Sequence, residues 1–167
     1  MRRLTLGGVP LHPALVHFPV AFWSCVLPMD AAYALGLGPQ YWRWGCLLAL
    51  AGLATALPAI VAGTLDGLAS RSAEAAQGDL WRHAMLMALT WTLFGLGSLV
   101  ASPDDPGGMW VAAASMHLAG FLALLAGAHA GGRLAHLHRL PGSAVDPRAR
   151  YAAGQPSSPS LSKPRLE

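Results

Sequence analysis

Four apolar segments, near residues 14–37, 42–65, 81–101 and 109–132, leave this chain little choice of fold. Each has about the length that crosses the hydrocarbon of a bilayer at about 1.5 Å of rise per helical residue. A backbone inside lipid must satisfy its own hydrogen bonds, so each segment is read as a helix. Glycine and proline mark the breaks: "GLGPQ" after the first segment, "DGLASRSAEAAQGD" after the second and "SPDDPGG" after the third. Short connections make successive helices antiparallel. The predicted fold is all-α, an integral membrane four-helix up-down bundle over residues 1–140. Charge agrees with it, since 11% of the residues are charged against about 25% in soluble domains.

From Pro141 onward, "PGSAVDPRARYAAGQPSSPSLSKPRLE" holds five prolines, five serines and few large apolar side chains. Such a segment cannot bury enough surface to fold alone, so residues 141–167 are expected to form a disordered cytoplasmic tail. Orientation follows from the basic residues, because short loops rich in Lys and Arg stay in the cytoplasm. Of the 11 Lys and Arg residues, Arg43 alone lies opposite the N-terminus, in company with Asp104 and Asp105. Both termini are therefore expected in the cytoplasm. The net charge of +3 reflects this topology and implies no nucleic-acid partner. Met1-Arg2-Arg3 before an apolar stretch looks like a secretion signal, but His12, His17, Pro19 and Pro28 interrupt the stretch, and the first helix is read as retained.

Several residues are expected to serve packing alone. Cys25 and Cys46, one in each of the first two segments and without CxxC spacing, are read as small buried side chains. Ala123, Gly127 and Gly131 recur every four residues and would admit a neighbouring backbone. Pro58 should kink the second helix. Among the tryptophans, Trp42, Trp44, Trp81, Trp91 and Trp110 include several at expected membrane interfaces, with Trp23 apart from them.

The seven histidines do not scatter evenly. With helices one and three running outward and helix four returning, His12, His17, His83 and His129 all fall near the inner ends of their helices. Asp66, in "GTLDG" at the inner end of helix two, joins the same layer, so every helix supplies a polar group. Ionisable groups within a span are costly and point to a functional site facing the bundle interior. Neutral imidazole is also the commonest metal ligand, and bundles build cofactor sites from facing helices.

Three chemistries suit this layer. A haem iron would take two histidines on opposite faces, in a cleft opened by small residues such as Gly63, Ala84, Gly127 and Ala130. A non-haem iron, zinc or copper ion would draw several of His12, His17, His83, His129 and Asp66 into one shell. A proton or ion path would use the same groups as relays. Plainer roles stand beside these: His12 at a helix start, His129 among small neighbours in "GAHAGG", Asp66 ending helix two near water, and His136 and His138 in "RLAHLHRL" among lipid headgroups. His117 lies twelve residues before His129 on the same helix, about 18 Å further out. A hydrogen bond to Asp30 is its expected role, with a second cofactor site at His117 and Asp30 as the alternative.

"HPALVHFPVAF", Asp30 late in helix one, "AGTLDG", His83 opening helix three and "AGGRL" closing helix four together resemble the bacterial membrane proteins classed as domain of unknown function 2231. The resemblance covers about residues 8 to 140, and its motifs fall on His12, Pro13, His17, Pro19, Asp66, His83, Gly131 and Gly132. It implies a four-helix protein of the bacterial inner membrane. Some members are fused to Rieske-type iron–sulfur domains, which implies electron transfer and a b-type haem. His129 departs from the family pattern, which has an apolar residue there.

The expected function is accordingly that of a small b-type cytochrome, with haem b held by His17 and His83, or by His12 and His129 as an alternative or second pair. Asp66 and Arg82 are expected beside the ligands. The expected partners are the lipid bilayer and a Rieske-type redox protein or a quinone, with a homo-oligomer left open. A metal or proton transport component, or a metal-binding structural subunit, is the alternative. No nucleophile–base pair for self-contained hydrolysis stands out.

Overall fold

The computed structural model describes residues 4–69, 74–100, 102–104 and 107–136. The chain opens with a small antiparallel hairpin, β1 (Thr5–Leu6) and β2 (Val9–Pro10), which turns at Gly7 and Gly8 with φ of 58° and 84°. Only glycine enters that region readily. Five α-helices follow: α1 (Leu11–Leu15), α2 (His17–Ala34), α3 (Pro39–Ala69), α4 (Glu74–Val100) and α5 (Trp110–His136), the last entered through a short 3-10 turn at Gly107–Met109. The end of the bundle that carries the β hairpin is called proximal below, and the other distal.

α1 and α2 are two pieces of one span, separated at Val16. Pro19 accounts for the break, because it has no N–H for the Leu15 carbonyl and its ring crowds that carbonyl. Pro28 and Pro58, by contrast, lie inside α2 and α3, and both helices continue through them. The four spans long and apolar enough to cross a membrane are Leu11–Ala34, Pro39–Leu68, Ala76–Val100 and Gly107–Ala135. Large apolar side chains such as Val61, Leu65, Met85, Leu99 and Leu122 stand exposed on the bundle, as suits a surface solvated by lipid. The interior is dominated by small residues, Ala49, Ala56, Ala59, Ala62 and Ala113 among them. Lipid offers little hydrophobic incentive to helix association, so close backbone approach supplies the packing.

α2 packs chiefly on α3, and α4 on α5; the α3–α4 and α2–α5 contacts are smaller. The bundle is thus two helical hairpins side by side, with α2 and α4 on one diagonal. These hairpins follow one plan. His12 and His83 are 71 positions apart, as are Trp23 and Phe94; Gly52 and Gly120 are 68 apart, as are Gly63 and Gly131. A Cβ on Gly52 would meet the Trp23 ring, and a Cβ on Gly120 the Phe94 ring. Trp23 stacks on Phe94, and His12 meets His83. Contact between a residue and its own equivalent is the mark of a two-fold relation. Since α2 and α4 run in the same direction, the pseudo-two-fold axis runs along the bundle.

Some sequence expectations need correction. Cys46 is buried, but Cys25 is exposed. Trp42 is no interfacial belt residue: it is buried, and its Nε1–H donates to the Ser102 carbonyl at 2.8 Å. Trp44, Trp81 and Trp91 are exposed. The expected tail, residues 141–167, lies outside the described residues.

Candidate functional site

At the proximal end the two hairpins present one histidine each. The His12 Nδ1–H donates to the Ala59 carbonyl of α3 at 2.8 Å, and the His83 Nδ1–H donates to the Gly127 carbonyl of α5, also at 2.8 Å. A carbonyl can only accept, so both rings carry their proton on Nδ1 and present the lone pair of Nε2. Each ring rests on a glycine one helical turn past its carbonyl. A Cβ on Gly63 would stand 2.8 Å from His12 Nδ1, and a Cβ on Gly131 would stand 3.0 Å from His83 Nδ1.

The two rings meet with centroids 6.4 Å apart and planes at 83°. Two imidazoles bound on opposite sides of one metal ion, at metal–nitrogen bonds of about 2.0 Å, would have their centroids about 6 Å apart. The two rings, from diagonally opposed helices, are thus separated by close to the centroid spacing of two imidazoles on one metal. Holding a ligating histidine by its other nitrogen is the usual means of fixing its tautomer and orientation.

The ring that meets His83 is that of His12, which the sequence reading had paired with His129. His17 is exposed, with its Nδ1 3.4 Å from the Ala14 carbonyl within its own span. His129 is exposed on α5. The closed shell of His12, His17, His83, His129 and Asp66 does not form: among the described residues, no group of three or more His, Cys, Asp or Glu side chains is placed to hold a metal ion. The glycines expected to open a flat cleft are already in contact, Gly63 and Gly131 with the two imidazoles and Gly127 with Met87, while Ala130 is buried and Ala84 exposed.

Asp66 is bonded to the backbone at the start of the β hairpin. Its Oδ1 accepts the backbone N–H of Leu4 at 2.9 Å, and Leu11 N–H donates to the Leu4 carbonyl at 2.9 Å. These bonds tie the β hairpin across the proximal end, beside His12. Arg82, next to His83 in the chain, is exposed. A salt bridge the sequence reading did not anticipate joins the hairpin α4–α5, where Arg133 Nε–H donates to Asp79 Oδ2 at 3.1 Å. His138 lies outside the described residues.

Fold and site together define a class, a four-helix membrane protein built from two helical hairpins that share a histidine pair at one end. The chain belongs to the family of predicted membrane proteins known as DUF2231, whose family model matches residues 8–142. No curated protein and no solved structure was found to match it. The matched region takes in both histidines, all four spans and the Gly131-Gly132 pair. One signal in the sequence could have paired His12 with His83 beforehand: the 71-residue and 68-residue offsets that relate the outgoing and returning helices of the two hairpins.

Proposed function

We propose that this protein is a b-type cytochrome-like electron-transfer protein of the bacterial inner membrane, in which His12 and His83 would hold one haem. The observation that carries the reading is the pair of imidazoles, 6.4 Å apart on diagonal helices, each with Nδ1–H tied to a carbonyl and Nε2 available. Haem asks the protein for two axial donors, whereas a closed zinc site asks for four. The donor chemistry therefore fits haem better than a structural metal ion.

Haem, when bound, supplies a one-electron couple at its iron. The chain's own residues do the rest. The Ala59 and Gly127 carbonyls keep His12 and His83 in the Nδ1–H tautomer and make Nε2 a better donor. Gly63 and Gly131 let both rings lie close to their helices and so hold them in one orientation. Exposed Arg82 is available to an anionic group such as a haem propionate. The placement of the basic residues supports a bundle with both termini in the cytoplasm. A Rieske-type protein or a quinone would exchange electrons with the site.

The test is an ultraviolet–visible spectrum of the detergent-purified protein supplied with haem, oxidised and then dithionite-reduced. The expected result is a Soret band with sharp reduced α and β bands, lost in His12→Ala and in His83→Ala and kept in His17→Ala and His129→Ala. A protein that stays colourless would overturn the haem reading and direct elemental analysis to non-haem iron, zinc or copper. Bands that survive His12→Ala but vanish in His17→Ala would return the ligand role to His17.

A further inference from the structure

A second polar pair lies in the distal half of the bundle, and the two-hairpin plan makes it conspicuous. His117 of α5 is 0% exposed and Asp30 of α2 is 6% exposed, with His117 Nδ1 2.8 Å from Asp30 Oδ2. Along α5, His117 is ten residues from Gly127, so the pair is about 15 Å from the His12–His83 layer.

The equivalent of His117 in the first hairpin is Ala49, itself fully buried; the 71-residue offset matches Asp30 in sequence with Ala101, which lies outside the described residues. The fold thus accommodates a small apolar residue where His117 stands. It has also adjusted to the polar pair. Gly97 takes the place that Val26 has in the first hairpin, and a Cβ there would stand 2.7 Å from His117 Nε2; Gly45 faces Asp30, where a Cβ would stand 3.1 Å from Oδ1. Bulk removed on one helix has made room for a polar side chain on another. Ionisable groups in a span are expensive and usually functional.

Two atoms of the pair, Asp30 Oδ1 and His117 Nε2, are buried and have no hydrogen-bond partner among the described residues. With the imidazole neutral and the carboxylate ionised, the pair carries a net negative charge in an apolar layer. One added proton makes it neutral, and Nε2 is the free acceptor on which that proton lands. The surroundings suit the cation so formed. The imidazole stacks against Phe94 with centroids 5.5 Å apart and planes at 17°, and faces Trp42 at 6.4 Å and 26°; a cation within about 6 Å of a ring face is attracted by it. Other groups face the pair from each helix around it. α3 contributes Trp42 and the Cys46 thiol, which is within electrostatic reach of Asp30; α4 contributes Phe94 and Gly97, and Tyr33 of α2 packs on Trp42. Cys46 is the further titratable group close to the carboxylate. Arg43 and Asp104 pair at 3.7 Å on the exposed distal surface. Trp42, bonded to the Ser102 carbonyl of the distal loop, lies between the pair and that surface.

We propose that Asp30 and His117 form a proton-binding site in the distal half of the bundle, separate from the His12–His83 seat. The event is a simple binding step. A proton from water joins His117 Nε2, the pair passes from imidazole–carboxylate to imidazolium–carboxylate, and the reverse step returns the proton to water.

The test uses the full-length protein in lipid bilayers with its histidine rings labelled by nitrogen-15. Nuclear magnetic resonance spectra are followed from about pH 5 to about pH 8, the range in which histidine ordinarily titrates. The His117 signals are identified by their absence in His117→Gln. The expected result is that Nε2 of His117 changes from unprotonated to protonated as pH falls, and that Asp30→Asn shifts or abolishes the change. In a pH jump, wild type should take up close to one proton per chain more than the Asp30→Ala, His117→Ala double variant. Alanine is the fully buried residue at position 49, the equivalent of His117, and the variant should retain the wild-type circular dichroism. Nε2 signals constant across the range, or equal proton uptake by wild type and double variant, would overturn the proposal and leave a fixed structural pair. Neither readout requires bound haem, so the outcome is independent of the preceding reading.

Discussion

Trp23 and Phe94, which occupy the same position in the two hairpins, stack with ring centroids 5.0 Å apart and planes at 11°. Both are buried, and each sits over the glycine of its own hairpin partner, Gly52 or Gly120. The stack holds the hairpins together across the pseudo-two-fold axis at mid-depth. Aromatic pairs contribute about 0.5–1.5 kcal/mol beyond area burial. A double-mutant cycle of Trp23→Leu and Phe94→Leu, read by thermal unfolding in detergent, should give a coupling of about 1 kcal/mol. A coupling near zero would mean that the stack is incidental to hairpin association.

The imidazole seats make a prediction at glycine. Gly63→Ala and Gly131→Ala should each push a ring from its carbonyl, costing about 1–3 kcal/mol as overpacking does. Haem uptake should fall in both. Gly132→Ala is the matched control, since a Cβ there meets nothing within 4 Å. Uptake titrations on the three variants check this, and a loss in Gly132→Ala equal to the others would contradict the seat geometry.

Asp66 is expected to act on the β hairpin. Asp66→Ala removes the acceptor of the Leu4 N–H, a loss of about 0.5–1 kcal/mol for an exposed bond. Hydrogen exchange at the Leu4 amide should become several-fold faster, with the exchange of amides in α4 unchanged.

Arg133 and Asp79 should contribute little to stability. The Arg133 side chain is 47% exposed and that of Asp79 11%; water reaches the guanidinium and screens the pair, which keeps it near the about 0–1 kcal/mol of surface ion pairs. Arg133→Gln should lower the unfolding free energy by less than about 1 kcal/mol, and added salt should shrink the difference.

Much of this architecture is legible in the sequence because the bilayer imposes it. A span needs a length of apolar residues, and the four segments, their breaks and the antiparallel order follow. The Asp30–His117 hydrogen bond was also foreseeable, since depth along two helices places both at a similar level. The pairing of His12 with His83 was harder to read. His12 and His17 lie five residues apart at the same end of one span, and sequence depth does not say which faces the axis. Pro19 decides that by breaking the span at Val16, and the break puts His12 on the short α1, against Ala59 and Gly63 of α3.

The sequence by itself determined that the chain crosses a membrane four times and carries ionisable groups at two depths, because hydropathy and helical rise are local quantities. Which groups meet was decided only by tertiary structure. The rotation of each helix about its own axis depends on where glycines let neighbours approach, and those contacts join residues far apart in the chain. The packing of Gly63, Gly131, Gly97 and Gly45 turned His12, His83, His117 and Asp30 inward, while His17 and His129 were left on the exposed surface.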